Sequence, residues 1–236
     1  FCAVSVFGFS PLVTNVLVGN IDALNCLLIL GLVACMVKKR RYLAGILWAA
    51  TILSKVVPIL LVVPFLAGRQ WKLLLTGLAC IVLYLIVLLI NGKLGDEWYF
   101  LTEVLPEIGW HWRGVSTSTG RFILDMMGRA IRTEEQAVYN GVNMTCSFVM
   151  GIFYVALACI AWLKRVNLLR FLELSLLFLP LFSPLLHWHH FVWVLPAWFL
   201  QVNRCLVDEM SRRFQILNMV GWLFLAFSFQ INDLFS

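Results

Sequence analysis

From Leu73 to Ile90 the chain carries no charged side chain and is almost entirely apolar. About 20 such residues cross the hydrocarbon core of a bilayer. A helix satisfies its own backbone hydrogen bonds, which is what that medium demands. The run therefore predicts a membrane-crossing helix. Related runs follow the same pattern: Ile21–Val37, Tyr42–Ala67, Met144–Leu163, Leu172–Leu186, Phe191–Val202 and Ile216–Ile231. Of 236 residues, 62% are hydrophobic and 13% charged, against about 25% charged in a soluble domain. The expected fold class is all-α, a polytopic transmembrane helical bundle. The net charge of +6 is then read as a marker of cytoplasmic ends rather than of nucleic-acid binding.

Basic clusters orient the runs. Lys38, Lys39, Arg40 and Arg41 close the run Ile21–Val37, which puts Gly19 and Asn20 on the outer side. The next run, Tyr42–Ala67, lies between this cluster and a second basic stretch at Arg69 and Lys72. Both of its ends therefore favour the cytoplasm. A re-entrant pair of short helices meets that condition, and the break is expected at Lys55 and Pro58, because proline removes a backbone donor. Irregular backbone at membrane depth is tolerated where it lines a cavity. The competing reading is one tilted span with Arg69 and Lys72 outside. With the re-entrant topology, twelve Lys and Arg residues fall inside and five outside, and Lys55 lies within the membrane.

Residues 92–143 are polar and hold most of the acids: Asp96, Glu97, Glu103, Glu107, Asp125, Glu134 and Glu135. This segment is expected to be an outer-face loop. Arg121, Asp125, Arg129 and Arg132 recur at helical spacing beside Phe122, Met126 and Ile131, the pattern of an interfacial helix. The sequon at Asn143 is a weak glycosylation signal. The seven cysteines include no C-x-x-C pair and fall mostly in apolar runs, so they read as small buried residues. The chain opens on "FCAVSVFGF", with neither Met nor a basic leader. It is read as a piece of a longer protein, residues 1–236 forming a single integral-membrane domain without its upstream part.

Four polar features are expected near the outer face. Lys55 costs about 2.5 to 3.5 kcal/mol at the centre of an apolar helix. It either snorkels to the interface or binds an anion in a cavity, and the second reading is preferred. Asp22 starts a membrane helix, where a carboxylate is favoured by the helix dipole or serves a sugar site. Arg113 and Arg121 are solvated loop charges or ligands to substrate. "SPLLHWHHFVWVLPAW" gathers His187, His189 and His190. Zinc is possible there, but no neighbouring Cys or carboxylate completes a site. Polar contact with a sugar or phosphate, or a proton role, is the preferred reading.

These stretches together resemble a known family. "PLVTNVLVGNIDALNCLLILG" is similar to the Gly-Gln-x-Asn-x-x-Leu segment of the polyprenol-phosphate-mannose-dependent mannosyltransferases, glycosyltransferase family 87. "RRYLAGILWAATILSKVVPILLVVPFLAGRQWK" resembles the block that follows, "YFLTEVLPEI" resembles the start of its loop, and "SPLLHWHHFVWVLPA" resembles its histidine block. Asn20 and Asp22 stand where the family has Gln and Asn, and His187 where it has Trp.

The resemblance implies the membrane C-type glycosyltransferase fold and transfer of a hexose, mannose, from a polyprenyl-phosphate carrier. The acceptor would be a glycolipid or glycan at the outer face, and the mechanism inverting. It implies no cofactor and no metal, the lipid bilayer as partner, and the bacterial plasma membrane as location. A general-base aspartate is implied upstream of Phe1. The expected catalytic residues are His190 and Lys55. The expected substrate contacts are His189, Asp22, Asn20, Arg121 and His187. A lipid-linked sugar flippase or transporter, and a non-catalytic scaffold, are the alternatives.

Overall fold

The computed structural model describes residues 21–104, 136–178 and 194–207, together with Ile216 and Val220. Helices and the turns between them account for this part of the chain, and no strand occurs among the described residues. Helix α1 spans Asp22–Val37 and α2 spans Arg41–Ser54. A 3₁₀ segment, Val57–Leu61, leads into the short α3, Val62–Ala67. Helix α4 spans Trp71–Ile90, and α5, Leu94–Tyr99, continues as a π-helical stretch, Phe100–Val104. Helices α6, α7 and α8 span Gln136–Leu163, Leu168–Phe178 and Leu195–Val207.

The run Tyr42–Ala67 is broken where the sequence predicts. Proline at position 58 would drive its ring into the carbonyl four residues back. That carbonyl belongs to Ser54, the last residue of α2. Lys55 leaves the helix in an extended conformation, φ −160° and ψ 128°. The chain then doubles back. The Trp48 and Phe65 rings meet edge to face with centroids 5.6 Å apart, where a continuous helix at about 1.5 Å per residue would separate them by roughly 25 Å. Lys72 Nζ lies 5.9 Å from the centre of the Tyr42 ring, so the two ends of the broken run come together. The carbonyls of the 3₁₀ segment are met by side chains: Trp48 Nε1 donates to Pro58 O at 3.1 Å and Tyr154 Oη to Leu60 O at 3.2 Å.

Helix α1 runs antiparallel to α2. Asp22 meets Lys55 at one end, and Arg41 reaches Met36 at the other. Helices α2 and α4 run parallel and approach closely through glycine. A Cβ on Gly45 would lie 2.5 Å from the Leu73 carbonyl, and one on Gly77 2.5 Å from Trp48 Cε3. The core between these helices and α7 and α8 is built of aliphatic and aromatic side chains, with Ile29, Leu32, Leu61, Phe65, Leu73 and Leu172 fully buried.

Trp71–Ile90 and Met144–Leu163 are each long and apolar enough to cross a membrane. Both keep most of that surface uncovered: Leu83 is 61% exposed, Leu89 63% and Phe148 69%. Uncovered apolar faces of this extent mark contact with another phase or partner. Several boundaries differ from the sequence reading, the start of α7 at Leu168 rather than Leu172 and two others among them. Helix α6 begins at Gln136, inside the segment assigned to the loop 92–143. Helix α8 continues to Val207, past the expected end at Val202. In both places a helix tolerates polar residues that a hydropathy reading takes for its end. The interfacial helix expected around Arg121–Arg132 lies outside the described residues.

Candidate active site

The site is built where α1 begins and α2 ends. Asp22, the first residue of α1, is fully buried. A buried carboxylate needs a partner, since taking a lone charge out of water costs several kcal/mol. Lys55 supplies it: Nζ lies 2.7 Å from Asp22 Oδ1. This is a charge-assisted hydrogen bond, shorter and stronger than a neutral one. The Lys55 side chain keeps 24% of its surface exposed while that of Asp22 has none. The pair thus buries its anion and presents its cation.

One turn along the same face of α1, Asn25 is also fully buried. Residues three apart share a helix face, so Asp22 and Asn25 together meet Lys55 and Ser54, where α2 ends. Ser54 Oγ lies 2.9 Å from Asn25 Oδ1 and 3.0 Å from Thr51 O, either of which accepts its proton. Asn25 Nδ2 is buried with no hydrogen-bond partner among the described residues. Helix α2 is about 21 Å long at 1.5 Å per residue. Lys55 therefore sits at the end of α2 away from Arg41.

Of the residues expected from the sequence, Lys55 and Asp22 are brought together. Asn20, Arg121, His187, His189 and His190 lie outside the described residues, as does Arg113. Sequence reading treated Lys55 and Asp22 as separate features and missed Asn25 and Ser54. The available signal was the spacing of Asp22 and Asn25 in an otherwise apolar helix. A second ion pair was also missed. Arg204 Nη1 on α8 lies 2.7 Å from Glu173 Oε2 on α7, and the Glu173 side chain is only 6% exposed. An acid inside the apolar stretch "FLELSLLFL" was its signal. Among the described residues no group of three His, Cys, Asp or Glu side chains could hold a metal ion. A shallow apolar concavity on α6, lined by Val138, Gly141, Val142, Thr145 and Cys146, shares no residue with the Asp22–Lys55 site.

The described residues thus combine helices only, two of them long and apolar enough to cross a membrane, with an ion pair between helix ends whose anion is buried. The family model for Glycosyltransferase family 87 matches residues 1–184. The match covers most of the chain, including α1, α2, the broken run and α4, and the chain belongs to glycosyltransferase family 87. Members of the family are membrane glycosyltransferases, which take a sugar from a donor to an acceptor. Neither the curated proteins nor the solved structures gave a match.

Proposed function

We propose that this protein transfers a hexose, mannose, from a polyprenyl-phosphate carrier to a glycolipid or glycan hydroxyl at the outer face of the membrane, with inversion. The observation that carries this reading is the Asp22–Lys55 pair: a partly exposed ammonium held by a buried carboxylate at a helix break, in a chain of this family. A lipid-borne donor brings its phosphate to the membrane interior or its edge, so a cation there suits it better than one in bulk water. Lys is a compact charge that fits a phosphate oxygen.

In the reaction, the acceptor oxygen bonds to the anomeric carbon. The bond from that carbon to the phosphate oxygen breaks, and its electron pair leaves on the polyprenyl phosphate. The acceptor proton passes to a carboxylate base. Asp22 is not assigned that task, because its carboxylate is engaged by the Lys55 ammonium. Lys55 and His190 are assigned to stabilising the charge growing on the leaving phosphate, and Arg121 to the same task. A fixed cation aimed at developing charge is a large source of rate enhancement. His189, His187 and Asn20 are assigned to sugar hydroxyls. In this arrangement the broken run Tyr42–Ala67 is a re-entrant hairpin whose tip carries Lys55, with Arg41 and Lys72 at the cytoplasmic side. The location proposed is the bacterial plasma membrane.

The test uses the full-length protein in liposomes with labelled polyprenyl-phosphate-mannose and a mannoside glycolipid. Label should appear on the acceptor, and Lys55→Ala and His190→Ala should each reduce it at least about a hundredfold, as loss of a transition-state donor does. Wild-type turnover in both variants would overturn the assignment. Label that crosses the bilayer but stays on its carrier would mark a transporter instead.

A further inference from the structure

Three turns end a helix with a residue in the left-handed region, and each of those residues is basic. They are Lys39 after α1 (φ 56°), Arg69 after α3 (φ 51°) and Arg165 after α6 (φ 50°). The turns close with the same two backbone bonds. Arg40 N–H donates to Cys35 O at 2.8 Å and Lys39 N–H to Met36 O at 3.1 Å. Gln70 and Arg69 donate to Phe65 O and Leu66 O at 2.8 and 2.9 Å. Val166 and Arg165 donate to Ala161 O and Trp162 O at 2.9 and 3.2 Å. Glycine is the usual residue at the left-handed position of this motif, because a Cβ is strained there. The turn after α4 follows that rule with Gly92, φ 68°, at the opposite end of the helices.

The three basic turns lie at one end of the molecule. The Arg69 guanidinium stands 4.9 Å over the Trp162 ring, Lys72 faces Tyr42, and Gly68 abuts Leu168 at the start of α7. Lys39, Arg69, Lys72, Arg165 and Arg170 are all exposed. The segments 37–41, 68–72 and 163–170 contain no Asp or Glu. Exposed aromatic rings stand among the charges: Tyr42 is 62% exposed, Trp71 54% and Trp162 43%. Such rings favour the depth of lipid headgroups. Strained basic turns, missing acids and an aromatic rim coincide at this end only among the described residues.

We propose that these three turns form a binding surface for anionic phospholipid headgroups, whose phosphates the basic side chains meet at the membrane boundary. The glycine rule is set aside at the three places where a charge can reach that plane. Each Lys or Arg at such a surface strengthens binding about fivefold, the equivalent of ~1 kcal/mol per charge. The surface is distinct from the Asp22–Lys55 site at the other end of α1 and α2, and it does not depend on the sugar donor.

The test compares the full-length protein in phosphatidylcholine nanodiscs with and without phosphatidylglycerol, reading the melting temperature and the phosphatidylglycerol molecules retained by native mass spectrometry. The double variant Lys39→Gly with Arg165→Gly relieves two strained turns and removes two charges, sparing the stacked Arg69. It should melt at the wild-type temperature or higher in phosphatidylcholine. Its affinity for phosphatidylglycerol should fall roughly 25-fold, and the stabilisation by that lipid should shrink with it. Lys39→Gln with Arg165→Gln, which keeps the strain and loses only charge, should show the same loss of lipid response. An unchanged phosphatidylglycerol response in either pair would overturn the proposal. So would an equal stabilisation by inorganic phosphate in phosphatidylcholine discs.

Discussion

Lys55 Nζ lies 2.7 Å from Asp22 Oδ1 and ties the break in one helix to the first turn of another. The two residues are far apart in sequence, and neither holds its charge cheaply alone. Burial is unequal between them, and this makes the consequences of their removal unequal.

Lys55→Ala strands a fully buried carboxylate without its ammonium and should destabilise the fold by about 3 to 5 kcal/mol. Asp22→Asn leaves a lysine that is 24% exposed rather than enclosed, so its cost should be smaller, about 1 to 3 kcal/mol. The double change Asp22→Leu with Lys55→Met should recover most of the stability, since apolar replacement of a buried pair is often neutral. Sugar transfer should stay abolished in it. Thermal unfolding in detergent, paired with a transfer assay, separates the two effects, and recovery of transfer in the double variant would contradict the proposed role.

The hairpin is fastened by two side-chain donors from different helices. Trp48→Phe and Tyr154→Phe should each cost about 1 kcal/mol by removing a bond to the Pro58 or Leu60 carbonyl. Proteolysis or hydrogen exchange of the segment 55–67 should quicken in both. Trp48→Phe keeps a ring against Phe65, so a loss far above this size would mean that ring packing rather than the hydrogen bond holds the segment.

Gly45→Ala and Gly77→Ala should each destabilise by about 1 to 3 kcal/mol, because the added methyl meets a backbone carbonyl in one case and the Trp48 ring in the other. Gly151→Ala on α6 is the control. Nothing lies within 4 Å of its Cβ, and helix propensity should make it stabilising by up to about 1 kcal/mol. Melting temperatures of the three variants in one detergent check the order.

The hairpin also makes a prediction about sidedness. In a background without the seven native cysteines, single cysteines at Lys39 and Lys72 should react with an impermeant maleimide from the same side of the membrane. A cysteine at Lys93 should react from the other. Labelling of positions 39 and 72 from opposite sides would restore the single tilted span.

The sequence by itself determined the helical class, the position of α4, the break between Ser54 and Pro58, and the family. Each is written in a local signal: the length of an apolar run, one proline, a string of short motifs in order. Helix α6 was placed too late and α8 ended too early, because hydropathy measures the lipid-facing stretch, not where backbone bonding stops. The tertiary structure decided what the polar residues do. Lys55 looked like an isolated charge within an apolar run and Asp22 like a carboxylate at a helix start, and only the antiparallel packing of α1 on α2 makes them partners. Asn25 with Ser54, and Glu173 with Arg204, became visible in the same way. The energy of a buried charge depends on what stands within about 4 Å of it, and for these pairs that neighbour is many residues away along the chain.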